Sequence, residues 1–292
     1  MTAPIHTPNR LLVEAASLLY MIGGMRPQHL VVVGGLVPPL LVPGASTAHI
    51  GSADVDLSLS VAITRGRTAE YYRSLEKIIE PYFELVEGGF RWKKKDGVQG
   101  LPLLVDFLGP EIEATALEDG TLGLEDQTAA ANTGRRLRPF PLASGALVDE
   151  DAMASTIEVE SLVYKPGVRA EVDLKHAGPV GFLASKADAL DRRDDPKDGY
   201  DVSWWCIQAA PTFDQVARLV TDRPAFKDEY FPQSVAILQK AFKSPEHPGP
   251  SGYARETNPR LGPGDDAYEQ DRNTAYRAVS EVVRLLHRDL WS

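Results

Sequence analysis

Asp54-Val55-Asp56, a short way downstream of Val31-Val32-Val33-Gly34-Gly35, constrains this chain more than any other feature. Side chains alternate across a strand, so residues two apart point the same way. Asp54 and Asp56 therefore share one face, with Cα atoms roughly 6.5–7 Å apart. Such a pair can hold one or two Mg2+ ions, which take carboxylates, water and phosphate oxygens as ligands. The glycine pair ends an apolar strand and allows the backbone to approach a phosphate closely. A third acid fits the scheme. Leu101 to Leu108 reads as a buried strand in which Asp106 is the one charged residue. An unpaired carboxylate there is costly, so Asp106 requires a metal ion or a salt-bridged arginine. Three carboxylates on neighbouring strands around two metal ions suit an in-line displacement at phosphorus.

The chain has 292 residues, enough for a sizeable core and an expected two domains. The single Cys206 excludes an internal disulfide framework and suits a reducing compartment. No signal peptide is visible, and no apolar run reaches about 18 residues, so no membrane span and a cytoplasmic location are expected. The formal net charge of −10 argues against broad, non-specific binding to nucleic acid. Arg91-Trp92-Lys93-Lys94-Lys95 and Arg135-Arg136-Leu137-Arg138 are either a local basic groove or solvated loop charges.

Periodicity predicts helices over 11–21 and 68–82, strands over 30–33, 54–61 and 101–108, and a hairpin over 83–95. Pro38, Pro39 and Pro43 keep any helix after Gly35 short. The segment 111–141 is mixed and reads as an insertion or loop. Further strands are expected over 155–164 and 169–174. After Gly181 the pattern turns helical, over 182–193, 200–210, 213–220, 231–242 and 267–290. Residues 245–264, rich in Pro and Gly, are expected to form an exposed loop. The expected class is α+β, with a mixed-sheet domain over 1–180 and a helical domain over 181–292.

The order Gly34-Gly35, Asp54-Val55-Asp56 and Asp106, with Ser52 two before the first acid, resembles the DNA polymerase beta nucleotidyltransferase superfamily. A second block narrows the resemblance. Lys186-Ala187-Asp188-Ala189-Leu190-Asp191-Arg192-Arg193, then Lys197-Asp198-Gly199-Tyr200-Asp201, is similar to the signature of the AbiEii-type (MenT-like) nucleotidyltransferase toxins. The resemblance covers about 30–108 and 182–203. The Pro38-Pro39 pair and the long 111–150 segment depart from the usual pattern. It implies Mg2+-dependent transfer of an NMP from an NTP such as ATP to an acceptor hydroxyl. It also implies a tRNA acceptor end as one possible acceptor and an antitoxin as a possible partner. Two alternatives stand beside it: a small-molecule acceptor such as an antibiotic, and a catalytically silent nucleotide-binding regulatory module.

Within this scheme Asp54 and Asp56 hold the ions, and Asp106 also positions the acceptor hydroxyl. Gly34, Gly35 and Ser52 face the triphosphate, or else form a tight turn with a capping serine. Lys186 and Arg193, seven apart on one helix face, neutralise phosphate charge, or else form a solvated face with Asp188 and Asp191. Asp198 holds Lys186, binds the nucleotide, or simply complements its helix dipole. Trp204 and Trp205 stack a base or fill the core. His49 contacts phosphate or is an ordinary turn residue. There is no zinc spacing, no P-loop and no nucleophile elbow.

Overall fold

A computed structural model describes residues 10–22, 29–52, 54–59, 68–87, 89–110, 115–116, 122–123, 137 and 139–291. Arg135, Arg136 and Arg138 of the second basic stretch, Gly88 of the expected hairpin turn and most of 111–136 lie outside the described residues. The fold is α+β, with a mixed sheet followed by C-terminal helices. Two compact units divide the chain. One comprises Met1–Leu36 and Gly51–Ala177, the other Val37–Ile50 and Gly178–Ser292.

In the first unit, helix α1 (Arg10–Ile22) precedes strand β1 (Leu30–Val33), whose four apolar residues are all buried. Strand β2 (Asp54–Leu59), helix α3 (Thr68–Ile79), strands β3 (Phe83–Glu87), β4 (Arg91–Lys94) and β5 (Leu104–Pro110) follow. Strand β5 starts later than the expected Leu101, because Pro102 has no N–H for a ladder. Helix α3 stops short of Tyr82, since the residue before Pro81 is pushed out of helical geometry. The short pair β6 (Thr115–Ala116) and β7 (Leu122–Gly123) lies apart from the main sheet. Strand β8 (Phe140–Leu142), helix α4 (Gly145–Glu150) and strands β9 (Met153–Val159) and β10 (Ala170–His176) complete the unit.

The main sheet has eight strands in the order β3-β4-β5-β2-β1-β10-β9, with β8 also paired to β5. The β2–β5, β1–β10 and β5–β8 pairs are parallel, and the others antiparallel. Strands β2 and β5 are therefore central, buried neighbours, the setting in which parallel pairs occur. Helix α1 buries Leu11, Leu12, Leu18, Leu19 and Ile22 against β9, β10 and α3. The first basic stretch is not a set of solvated charges throughout. Strand alternation turns Trp92 and Lys94 inward, and Lys94 Nζ donates to buried Glu14 at 2.6 Å.

The second unit contains helices α2 (Val37–Leu41), α5 (Pro179–Arg192), α6 (Pro196–Gln208), α7 (Phe213–Thr221), α8 (Phe231–Ala241), α9 (Pro248–Thr257) and α10 (Asp266–Leu290). Both Trp204 and Trp205 are buried core residues. Burial also pushes the Cys206 thiol pKa up. The expected 245–264 loop is corrected by α9, which packs closely on α6 and α10. Its glycines are contact points, not breaks. A Cβ at Gly249 would meet Phe242, and one at Gly252 would meet the Pro196 backbone. Pro248 opens the helix, where its missing N–H costs nothing. Among the described residues, no helix is long and apolar enough to cross a membrane.

Candidate metal centre and a buried ion-pair cluster

Strand β2 presents Asp54 and Asp56 on one face, and β5 runs beside it in parallel register with Asp56 opposite Asp106. One carboxylate oxygen from each of the three acids lies within 4.8 Å of those of the others. Like charges this close repel, and a cation among them relieves the repulsion. The donors are all carboxylate oxygens, the ligands that hard divalent ions such as Mg2+ prefer, so the residues fit such an ion.

The strand on the other side explains one glycine. Val33 of β1 pairs with Asp56, and Gly34 follows at φ +69°. A side chain there would be strained, and its Cβ would run into the Asp56 carboxylate. Gly35 is buried in a 3-10 turn over Gly34–Leu36. Ser52 Oγ donates a short hydrogen bond to Asp54 Oδ1, so this hydroxyl braces the first acid.

Asp106 has a partner that sequence spacing does not name. Arg91 of β4 sits opposite it in the ladder. Its Nε donates to Oδ1 at 2.8 Å and its Nη2 to Oδ2 at 2.6 Å. The metal-ligand and salt-bridge alternatives for Asp106 thus meet at one carboxylate, 8 % exposed against 30 % for the arginine side chain.

In the helical unit, Lys186, Arg193 and Asp198 come together. Lys186 Nζ lies 2.8 Å from Asp198 Oδ1 and 2.5 Å from Asp201 Oδ2. Asp198 and Asp201 are three apart on α6, so both reach the same side. Arg193 Nε donates to Asp198 Oδ2 at 2.8 Å. Lys186 is buried and is not part of a solvated face. Asp188 instead accepts from Tyr230 at 2.5 Å, and Asp191 lies 4.0 Å from Lys240.

Burial opposes charge on all three members of the Lys186 cluster, but their mutual attraction outweighs it. Asp198 is held at about 2 because Lys186 and Arg193 overcome its desolvation. Asp201 is likewise lowered against burial by Lys186 and His49, and Lys186 is raised against burial by the two carboxylates. His49 joins this cluster through Asp201. Its Nε2 lies 2.9 Å from Asp201 Oδ1, and its ring meets Trp204 edge-on at 4.9 Å. Ile50 N–H, the next backbone donor, bonds to Tyr200 Oη at 2.9 Å. Only a lone histidine before Asp-x-Asp hinted at this contact, and spacing does not identify a partner so distant in sequence.

No protein-family model matches the chain, and no curated protein matches its sequence. Among solved structures, the chain is similar to an antigenic nucleotidyltransferase-like protein from Paracoccidioides brasiliensis, at 16 % identity and a TM-score of 0.39. The match covers 82 % of this chain and 90 % of that one. Likeness at that level leaves function to be argued from the acids and their neighbours.

Proposed function

We propose that the protein is a nucleotidyltransferase that moves an NMP from an NTP to an acceptor hydroxyl with Mg2+. The observation that carries this reading is the convergence of Asp54, Asp56 and Asp106 from two adjacent strands. Mg2+ held by these acids would neutralise triphosphate charge and the charge that develops at phosphorus. Asp106 would orient the acceptor hydroxyl and take its proton at a carboxylate oxygen. The acceptor oxygen forms a bond to the α-phosphorus, the bond from that phosphorus to the bridging oxygen breaks, and pyrophosphate leaves. Backbone N–H groups at Gly34 and Gly35 would face the triphosphate, with Ser52 holding Asp54 in place. Lys186, Arg193 and Asp198 are proposed nucleotide-binding residues within the helical unit.

The acceptor end of tRNA is the proposed acceptor, with an antitoxin protein as partner and the cytoplasm as site of action. The net charge of −10 favours a second reading, in which the same chemistry acts on a small molecule. Incubation with each labelled NTP, Mg2+ and total RNA is expected to label a tRNA-sized band. A labelled small molecule instead would select the second reading. Asp54→Ala is expected to abolish labelling while its circular dichroism spectrum stays that of the wild type. Full transfer by that variant would refute the assignment.

A further inference from the structure

We propose that Arg91 is a substrate-phosphate ligand whose resting partner is Asp106, so that cation and nucleotide bind the centre cooperatively. This rests on the nucleotidyl-transfer reading and adds a residue to it. Arg91, Asp106 and Asp56 form one row across β4, β5 and β2, because each pairs with the next in the ladder. The guanidinium closes a two-point fork on both oxygens of Asp106, and the ladder row continues from Arg91 to Glu87 of β3. The same planar fork matches a phosphate group.

Two features mark this pair as able to open. The first is exposure. Lys94, three residues along the same strand, makes an ion pair with Glu14 in which both side chains are 2 % exposed. Arg91 is 30 % exposed while its partner is buried, so the guanidinium has solvent to turn through and the carboxylate stays fixed. The second is electrostatic. A divalent cation at the three acids would repel a guanidinium already bonded to one of them. Asp106 cannot serve both at full strength. An incoming triphosphate offers Arg91 a replacement acceptor of the same shape, close to the same place. The Phe90 ring, 5.6 Å from the guanidinium carbon, gives the side chain an apolar platform. Bare cation therefore binds against the Arg91–Asp106 pair, whereas cation with nucleotide does not. By linkage, nucleotide must strengthen cation binding by the same factor that cation strengthens nucleotide binding.

Titration calorimetry tests this with Mn2+ alone, and with α,β-methylene analogues of the four ribonucleoside triphosphates at saturating Mn2+. Arg91→Gln is expected to bind bare Mn2+ about tenfold more tightly and the best analogue about tenfold more weakly than the wild type. Arg91→Lys keeps the charge without the fork, and its affinities are expected between the two. Should Arg91→Gln lack the wild-type circular dichroism spectrum, the Lys variant carries the comparison. A purely structural brace would weaken both affinities together, and that result, or no change in either, overturns the proposal. Wild-type protein that binds neither Mn2+ nor analogue would instead remove the nucleotidyl-transfer reading, and this inference with it.

Discussion

At Gly34 a single missing methyl group decides whether Asp56 can stand where it does. Gly34→Ala imposes a left-handed residue, worth roughly 1–2 kcal/mol of strain, and drives a Cβ into the carboxylate. The expected result is a modest drop in melting temperature with a much larger loss of Mn2+ binding. Equal losses in both would mean that the glycine serves only the turn. The removal of Lys186 is expected to be felt in stability as well. Lys186→Met leaves two buried carboxylates short of a cation, and breaking a buried pair from one side costs about 3–5 kcal/mol. Urea denaturation is the measurement. Asp198 adds a pH dependence of known sign. Its pKa is about 2 in the folded chain against an ordinary 3.8, so the unfolded chain binds more protons between those values. Its stabilising contribution is present above about pH 4 and fades as the pH falls toward 2. Urea midpoints should fall over that window more steeply for the wild type than for Asp198→Asn.

Helix α9 shows what periodicity could not convey. Its buried side is made by Gly249, Pro250, Gly252 and Ala254, residues that carry almost no apolar signal. The contact is backbone against backbone, with Gly199 of α6 facing Gly249. A pattern that counts side chains reads such a face as a loop. Gly252→Val should overpack this contact and cost about 1–3 kcal/mol, seen as a lower melting temperature. The strands were more legible, because β1 and β5 carry apolar runs and β2 alternates acids or serine with apolar residues. Alternation alone puts Asp54 beside Asp56. Bringing Asp106 alongside them required the β2–β5 register, which no local pattern states. The same limit explains Arg91. Its class, a cation for a lone buried acid, follows from the cost of burial, but its identity follows only from the β4–β5 ladder. His49 and Asp201 illustrate it further, since their contact joins distant segments of the chain.

For the molecule as a whole, the charge of −10 separates the two acceptor classes by salt dependence. An interface with even two phosphate contacts loses about tenfold in affinity between 50 and 200 mM salt. If tRNA is the acceptor, its affinity should fall at least that steeply in a filter-binding assay, while a neutral small acceptor should show a flat response. The route of the backbone has its own consequence. Between β1 and β2 the chain leaves the sheet unit, contributes Val37–Ile50 to the helical one, and then returns. The C-terminal half is therefore not a transferable cassette. Recombination that exchanged it after Ala177 would import Asp201 without the histidine that meets it, so inheritance of the helical unit ties two distant stretches of the gene together.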